Sequence, residues 1–173
     1  AATVNLNTNG GFENNSHVGY NSDSAGGANY SKTITTEHVY EGTYALLIRL
    51  GDTGTANIYR TPLALTGSTA YSQSLYIKPV SDGASVAGLI LILAGTVIPH
   101  TIHDAGDGWY LVTGYAPTPA SPVSAVHAIT GLTTGATYAV DNWQITATAE
   151  PQAYTAEIAT TASVLHYPTL TPR

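Results

Sequence analysis

The chain has 173 residues, 43% of them hydrophobic and only 9% charged, with a net charge of −6 at pH 7. That length suits one domain with a short appended segment and is enough to bury a sizeable core. Five Lys and Arg in total exclude the clustered positive charge that nucleic acid or an anionic membrane requires. The absence of Cys excludes disulfides, thiolate metal sites and Cys nucleophiles.

The elements read as strands throughout. Twelve Tyr, many Val, Ile and Thr, and frequent Gly and Pro breaks favour β structure, and no amphipathic helix of three turns is evident. Over residues 44–50, Tyr44, Leu46, Ile48 and Leu50 alternate with Ala45, Leu47 and Arg49. Tyr71, Gln73, Leu75 and Ile77 alternate in the same way with Ser72, Ser74, Tyr76 and Lys78. Residues 86–93 are apolar on both faces, which predicts a strand buried on both sides, in the core or under a subunit contact. Further strands are predicted over 96–103, 109–115, 123–129 and 137–146. Turn signals separate these runs, at residues 51–54, 81–83, 104–108 and 133–135. About eight short strands at this spacing predict an all-β jelly-roll β-sandwich over residues 1–146. Residues 147–173 are rich in Ala, Thr and Pro and read as an extended C-terminal arm.

Five landmarks fall in a familiar order. They are Asn9-Gly10-Gly11-Phe12-Glu13, then Tyr40-Glu41-Gly42-Thr43-Tyr44-Ala45-Leu46, then the element at 65–77. Gly108-Trp109-Tyr110-Leu111-Val112-Thr113-Gly114 and Tyr138-Ala139-Val140-Asp141-Asn142-Trp143 complete the series. Over residues 3–146 this order resembles carbohydrate-binding modules of families 4, 9 and 22 and the wider galactose-binding-like jelly rolls. The arm carries Glu150, Tyr154, Ile158 and Thr160-Thr161-Ala162-Ser163-Val164, and it resembles tails of bacteriophage structural proteins. It departs from that pattern at Gln152 and Ala159.

These resemblances imply functions that the residues must be tested against. The first implies that Glu13 and Asp141 come together on a structural Ca²⁺, with backbone carbonyls near Gly11 and Gly42 completing the site. Two carboxylates and hard oxygen donors suit that ion. The alternative is that both carboxylates satisfy backbone donors at strand ends. His100 and His103 should face opposite sides of a strand, so they form no ready metal pair. No paired carboxylates, Ser nucleophile motif or phosphate loop announces an enzyme. Tyr20, Tyr30, Tyr59, Tyr76 and Tyr115 are candidates for stacking on sugar rings, with Asn57, Gln73 and Arg60 as polar neighbours. The competing reading makes most Tyr edge-of-core residues with wet hydroxyls. The tail resemblance implies a non-catalytic virion structural protein at the virion surface. It would be a capsid decoration, head-fibre or tail-associated homo-oligomer, contacting identical subunits or other virion proteins through Tyr154, Ile158, Val164, Leu165 and Tyr167. The alternative is an extracellular carbohydrate-binding module of a secreted polysaccharide-degrading enzyme.

Overall fold

A computed structural model describes residues 4–122 and 126–155. Among the described residues eleven strands run in chain order: β1 (Tyr20–Asn21), β2 (Ser31–Thr35), β3 (Ala45–Arg49), β4 (Ile58–Arg60), β5 (Ala70–Pro79), β6 (Ile90–Leu93), β7 (Thr96–Val97), β8 (His100–Gly106), β9 (Trp109–Pro117), β10 (His127–Thr130) and β11 (Thr137–Thr146). A single 3-10 turn, Asp23–Gly26, follows β1 among the described residues. The strands form two antiparallel sheets: five strands ordered β1-β4-β10-β6-β7, and six ordered β2-β3-β11-β5-β9-β8.

Alternation explains the sandwich. In β3, Leu46 and Ile48 face the core; in β5, Tyr71, Leu75 and Ile77 do so; in β11, Tyr138, Val140, Trp143 and Ile145 do so. The facing sheet supplies Tyr20, Ile58, Leu91, Leu93 and Ile129. One extra residue interrupts β11: Asp141 pairs with Tyr76 and Gln144 with Ser74, so two residues on β11 oppose Leu75. Asn142 takes the left-handed conformation there, at φ 46°. This bulge keeps Trp143 inward while Asp141 and Gln144 both face outward.

Gln73, Arg60 and His127 are polar side chains tied down inside the sandwich. Gln73 lies fully buried between the sheets; its Nε2 donates to the Ile92 carbonyl at 2.9 Å and its Oε1 accepts from Trp143 Nε1 at 2.8 Å. Buried Arg60 donates from Nε to Asn7 Oδ1 at 2.6 Å, and its guanidinium lies 5.4 Å from the centre of the Tyr20 ring. His127 is buried as well. Its Nδ1 accepts from the Ala94 amide at 3.1 Å, so Nε2 carries the proton that meets the Leu63 carbonyl at 2.6 Å.

Burial lowers the His127 pKa; the Leu63 hydrogen bond opposes that shift and the Arg60 charge adds to it. Below about pH 6.5 the unfolded chain takes up a proton at this position more readily than the folded one. The contribution of His127 is therefore present above that pH and lost as the pH falls below it. Urea melts of wild type and His127→Gln between pH 5 and pH 8 check this: the wild type should lose more stability toward pH 5, and parallel profiles would contradict it.

Two predicted strands differ from what folds. Residues 86–89 form a turn, and only 90–93 make a strand, with one face buried. Leu91 and Leu93 face the core, whereas Ile90 is 37% exposed on the uncovered outer face of the five-stranded sheet. The 96–103 run splits at Pro99, because the chain leaves one sheet at β7 and enters the other at β8. Pro99 has no amide to give to either ladder. Within 123–129, residues 123–125 lie outside the described residues.

Candidate functional site

The outer face of the six-stranded sheet is built in rows that the strand registers define. One row is Thr101, Thr113, Ser74 and Gln144, across β8, β9, β5 and β11. The next is His103, Leu111, Tyr76 and Asp141. Tyr115, Ser72 and Thr146 form a third. Exposure falls along each row. Thr101 and His103 are open and Tyr115 is 52% exposed, while Ser72, Gln144, Asp141 and Thr146 are buried. Among the described residues the face is therefore open over β8 and over residues 111–115 of β9, and roofed over β5, β11 and Trp109.

Two segments make the roof. The first is the loop before β3. Tyr40 stacks on Tyr76 with ring centres 3.7 Å apart and meets Trp109 edge-on at 5.7 Å. Burial, and then the Tyr40 hydroxyl, pushes the Tyr76 hydroxyl up to about 12. The second is the described start of the arm, residues 147–155. Ser72 Oγ donates to the Thr148 carbonyl at 2.9 Å. Gln144 Nε2 donates to the carbonyls of Gln152 and Ala153, and Gln144 Oε1 accepts from the Thr155 amide at 2.8 Å. This segment is a strap on its own sandwich.

What stays open is a hollow of about 170 Å³ lined by Pro99, His100, Thr101, Thr113, Tyr115 and Pro151, with Gly114 at its base. Thr101 Oγ1 lies 2.9 Å from Thr113 Oγ1 and 2.9 Å from His103 Nε2, so a chain of polar groups runs over the floor. Among the described residues no charged side chain lines it. An exposed aromatic face beside hydroxyls suits a flat, partly apolar, hydroxyl-rich ligand. The His100 ring is held by the carbonyls of Ile98 and Leu89 and the His103 ring by the Thr101 hydroxyl, so the two imidazoles do not converge.

The remaining sugar candidates separate by burial. Tyr115 and Tyr76 belong to this face. Tyr20 is a core residue whose hydroxyl donates to the Asn9 carbonyl, and Gln73 and Arg60 are buried as described. Asn57 is buried too; its Oδ1 accepts from the Asp23 amide at 2.8 Å and braces the 3-10 turn. These four are withdrawn from any ligand surface. Tyr30 donates to Asn21 Oδ1 at 2.7 Å, at the side of the five-stranded sheet, and Tyr59 lies half-buried on β4. Both are remote from the hollow in the sheet order. Of the arm residues, Tyr154 packs its hydroxyl against Gly11, where a Cβ would approach to 2.6 Å. Ile158, Val164, Leu165 and Tyr167 lie outside the described residues.

Glu13 and Asp141 are drawn to one loop. Glu13 accepts from the amides of Thr43 and Tyr44, at 2.6 and 2.8 Å. Asp141 accepts from Tyr40 and Glu41 at 3.0 and 3.1 Å, and from Asn142 at 2.8 Å. Gly42 has φ 83°, and a Cβ there would collide with the Glu13 carboxylate. Burial pushes Asp141 up to about 7, its three amides oppose that shift, and Glu13 adds to it. The donor set is all oxygen, as Ca²⁺ requires. Among the described residues no three acidic, His or Cys side chains converge, so further ligands would be backbone carbonyls or neutral side-chain oxygens.

No family model matches the chain, and no curated protein matches it. Solved structures do. One titled "Family 16 Carbohydrate Binding Module-2" superposes with a TM-score of 0.53 at 18% identity, covering 82% of this chain and 99% of that one. The C-terminal family 22 carbohydrate binding module of a Clostridium thermocellum xylanase gives 0.56 at 12%, covering 88% and 95%. The fold is that of the carbohydrate-binding-module jelly rolls. Tailspike protein 4 of bacteriophage CBA120 also contains it, with a TM-score of 0.53 at 12% identity over 82% of this chain and 21% of that one. At these identities the jelly-roll architecture is what is shared.

Proposed function

We propose that this jelly roll is a non-catalytic glycan-binding module, and that it takes a neutral glycan on the open β8–β9 half of the six-stranded sheet. The observation that carries this reading is the exposed Tyr115 ring beside the uncharged floor of Thr101 and Thr113. The architecture it shares with structures titled as carbohydrate-binding modules supports the same reading. Glu13 and Asp141 each accept from backbone amides of the loop before β3, which suits a structural role better than acid–base work on a sugar. Calorimetric titration of the full chain with a panel of neutral and acidic oligosaccharides tests the proposal. Binding confined to neutral members is expected; heats with acidic members alone, or with none, would overturn it.

The virion setting rests on a separate observation. The presence of this fold in a bacteriophage tailspike protein supports it. Ile90 and Val97, the latter 62% exposed, leave apolar surface on the far sheet that a second copy or another virion protein would cover. An oligomer by light scattering supports this setting. A monomer at working concentration favours the extracellular module of a secreted enzyme.

Ca²⁺ enters as a stabiliser held by Glu13 and Asp141, tying the first loop to the last strand. After treatment with EDTA, added Ca²⁺ at about 100 times its Kd should raise stability by about 2.7 kcal/mol. Melting curves that coincide with and without the ion would remove it from the account.

A further inference from the structure

The arrangement of the roof bears on which part of a glycan is recognised. Following the row from the β8 edge, Thr101 is exposed, Thr113 is half-buried, and Ser74 and Gln144 are buried. Gln144 has no group left for a ligand, because both ends of its amide hold the strap at Gln152, Ala153 and Thr155. Pro151 of the same strap forms part of the hollow beside Tyr115. The strap is braced internally. Thr148 Oγ1 donates to the Glu150 carbonyl at 2.7 Å, and Gln152 Nε2 donates to the same carbonyl at 2.9 Å. On the other flank, Tyr40 closes over Tyr76 and Trp109. The floor is walled toward β11 and toward the Tyr40 loop, and it opens across the edge strand β8.

We infer that the site receives the end of a glycan chain and not its interior, the strap at residues 150–153 acting as the stop. The inference rests on the glycan reading above. A chain lying across the strands would have to pass through the position of Gln152 and Ala153 to continue over β11. A terminal sugar ring stacked on Tyr115 meets no such conflict. The strap is thereby a specificity element: it turns a sheet face that could carry a chain running through into an alcove.

Stoichiometry on polymers separates the cases. The full chain is titrated with xylohexaose, cellohexaose and mannohexaose, each against its own parent polymer: arabinoxylan, hydroxyethyl cellulose or galactomannan. The expected result is binding to a hexaose, with the polymer taking up a single copy per chain end. A hexaose that binds while its polymer carries copies along its whole length overturns the inference and leaves the glycan reading standing. No binding to any pair overturns both. In Gln144→Ala the strap loses its anchor, and polymer capacity should rise from chain ends to the whole chain at unchanged hexaose affinity. Pro151→Gly loosens the same wall without touching the sheet and should move capacity in the same direction. Capacity unchanged in both variants, each shown folded by circular dichroism, would overturn the role of the strap.

Discussion

Replacing Trp143 with Ala should cost more stability than any other single truncation in this chain. Trp143 is fully buried on β11, against the Tyr20 ring at 5.7 Å between centres. Truncating a buried Trp costs about 3–5 kcal/mol, and leaving Gln73 Oε1 without its donor adds about 1–3 kcal/mol. Domains of this kind hold only about 5–15 kcal/mol in total. A fall in Tm of roughly 10–20 °C, or loss of cooperative unfolding, is expected for a chain of this size. Trp143→Phe keeps most of the ring and forfeits mainly the N–H, so it should fall between the two. Calorimetric melts of the three proteins check this, and a Trp143→Ala variant melting within a few degrees of wild type would contradict the assigned core.

The second large effect concerns binding. Tyr115→Ala should lower glycan affinity by about ten-fold or more, which is about 1.4 kcal/mol, while leaving the Tm within a degree or two of wild type. The ring is half-exposed and contributes little to the core, yet it is the open aromatic surface of the hollow. Aromatic anchors at the centre of a site carry most of the energy of binding. Tyr115→Phe should retain most of the affinity, because it keeps the stacking surface. Tyr59→Ala, on the opposite sheet, should leave affinity unchanged. Equal loss in Tyr59→Ala and Tyr115→Ala, measured by calorimetry, would place the ligand elsewhere.

Much of the fold was readable in advance because period-two alternation is a local signal. Residues 71–78 and 137–146 read as strands, and both fold as strands; in the first, the alternating set Tyr71, Gln73, Leu75 and Ile77 lies inward. Gln73 shows how the same signal was under-used. It alternates in step with Tyr71, Leu75 and Ile77, so its place was inward, and only its polarity suggested a sugar partner. Tyr20 and Arg60 were harder to place. They lie on strands of two and three residues, too short to show alternation, and the bonds that bury them come from residues 7–9 and 61. The β2 strand was passed over because Ser, Lys and Thr leave its core face to Ile34 alone.

The site was less legible than the fold. Tyr76 and Tyr115 are legible as stacking candidates, but Tyr40 is legible only as part of a landmark run. Its stacking on Tyr76 depends on where a loop folds back, which no neighbouring residue encodes. The strap was read as an arm because Ala, Thr and Pro carry few core contacts. What holds it is Gln144, facing outward only because the bulge at Asn142 resets the alternation. A one-residue irregularity of that kind leaves little trace in a hydrophobic pattern.

The central claim is that ligand binding belongs to the open half of the six-stranded sheet. Backbone amide NMR of the full chain, titrated with whichever neutral oligosaccharide binds in calorimetry, tests it most directly. Shifts concentrated on Thr101, His103, Leu111, Thr113 and Tyr115, fading toward Gln144, are the predicted result. Shifts centred on Asn21, Tyr59 and Val97 of the five-stranded sheet would contradict it.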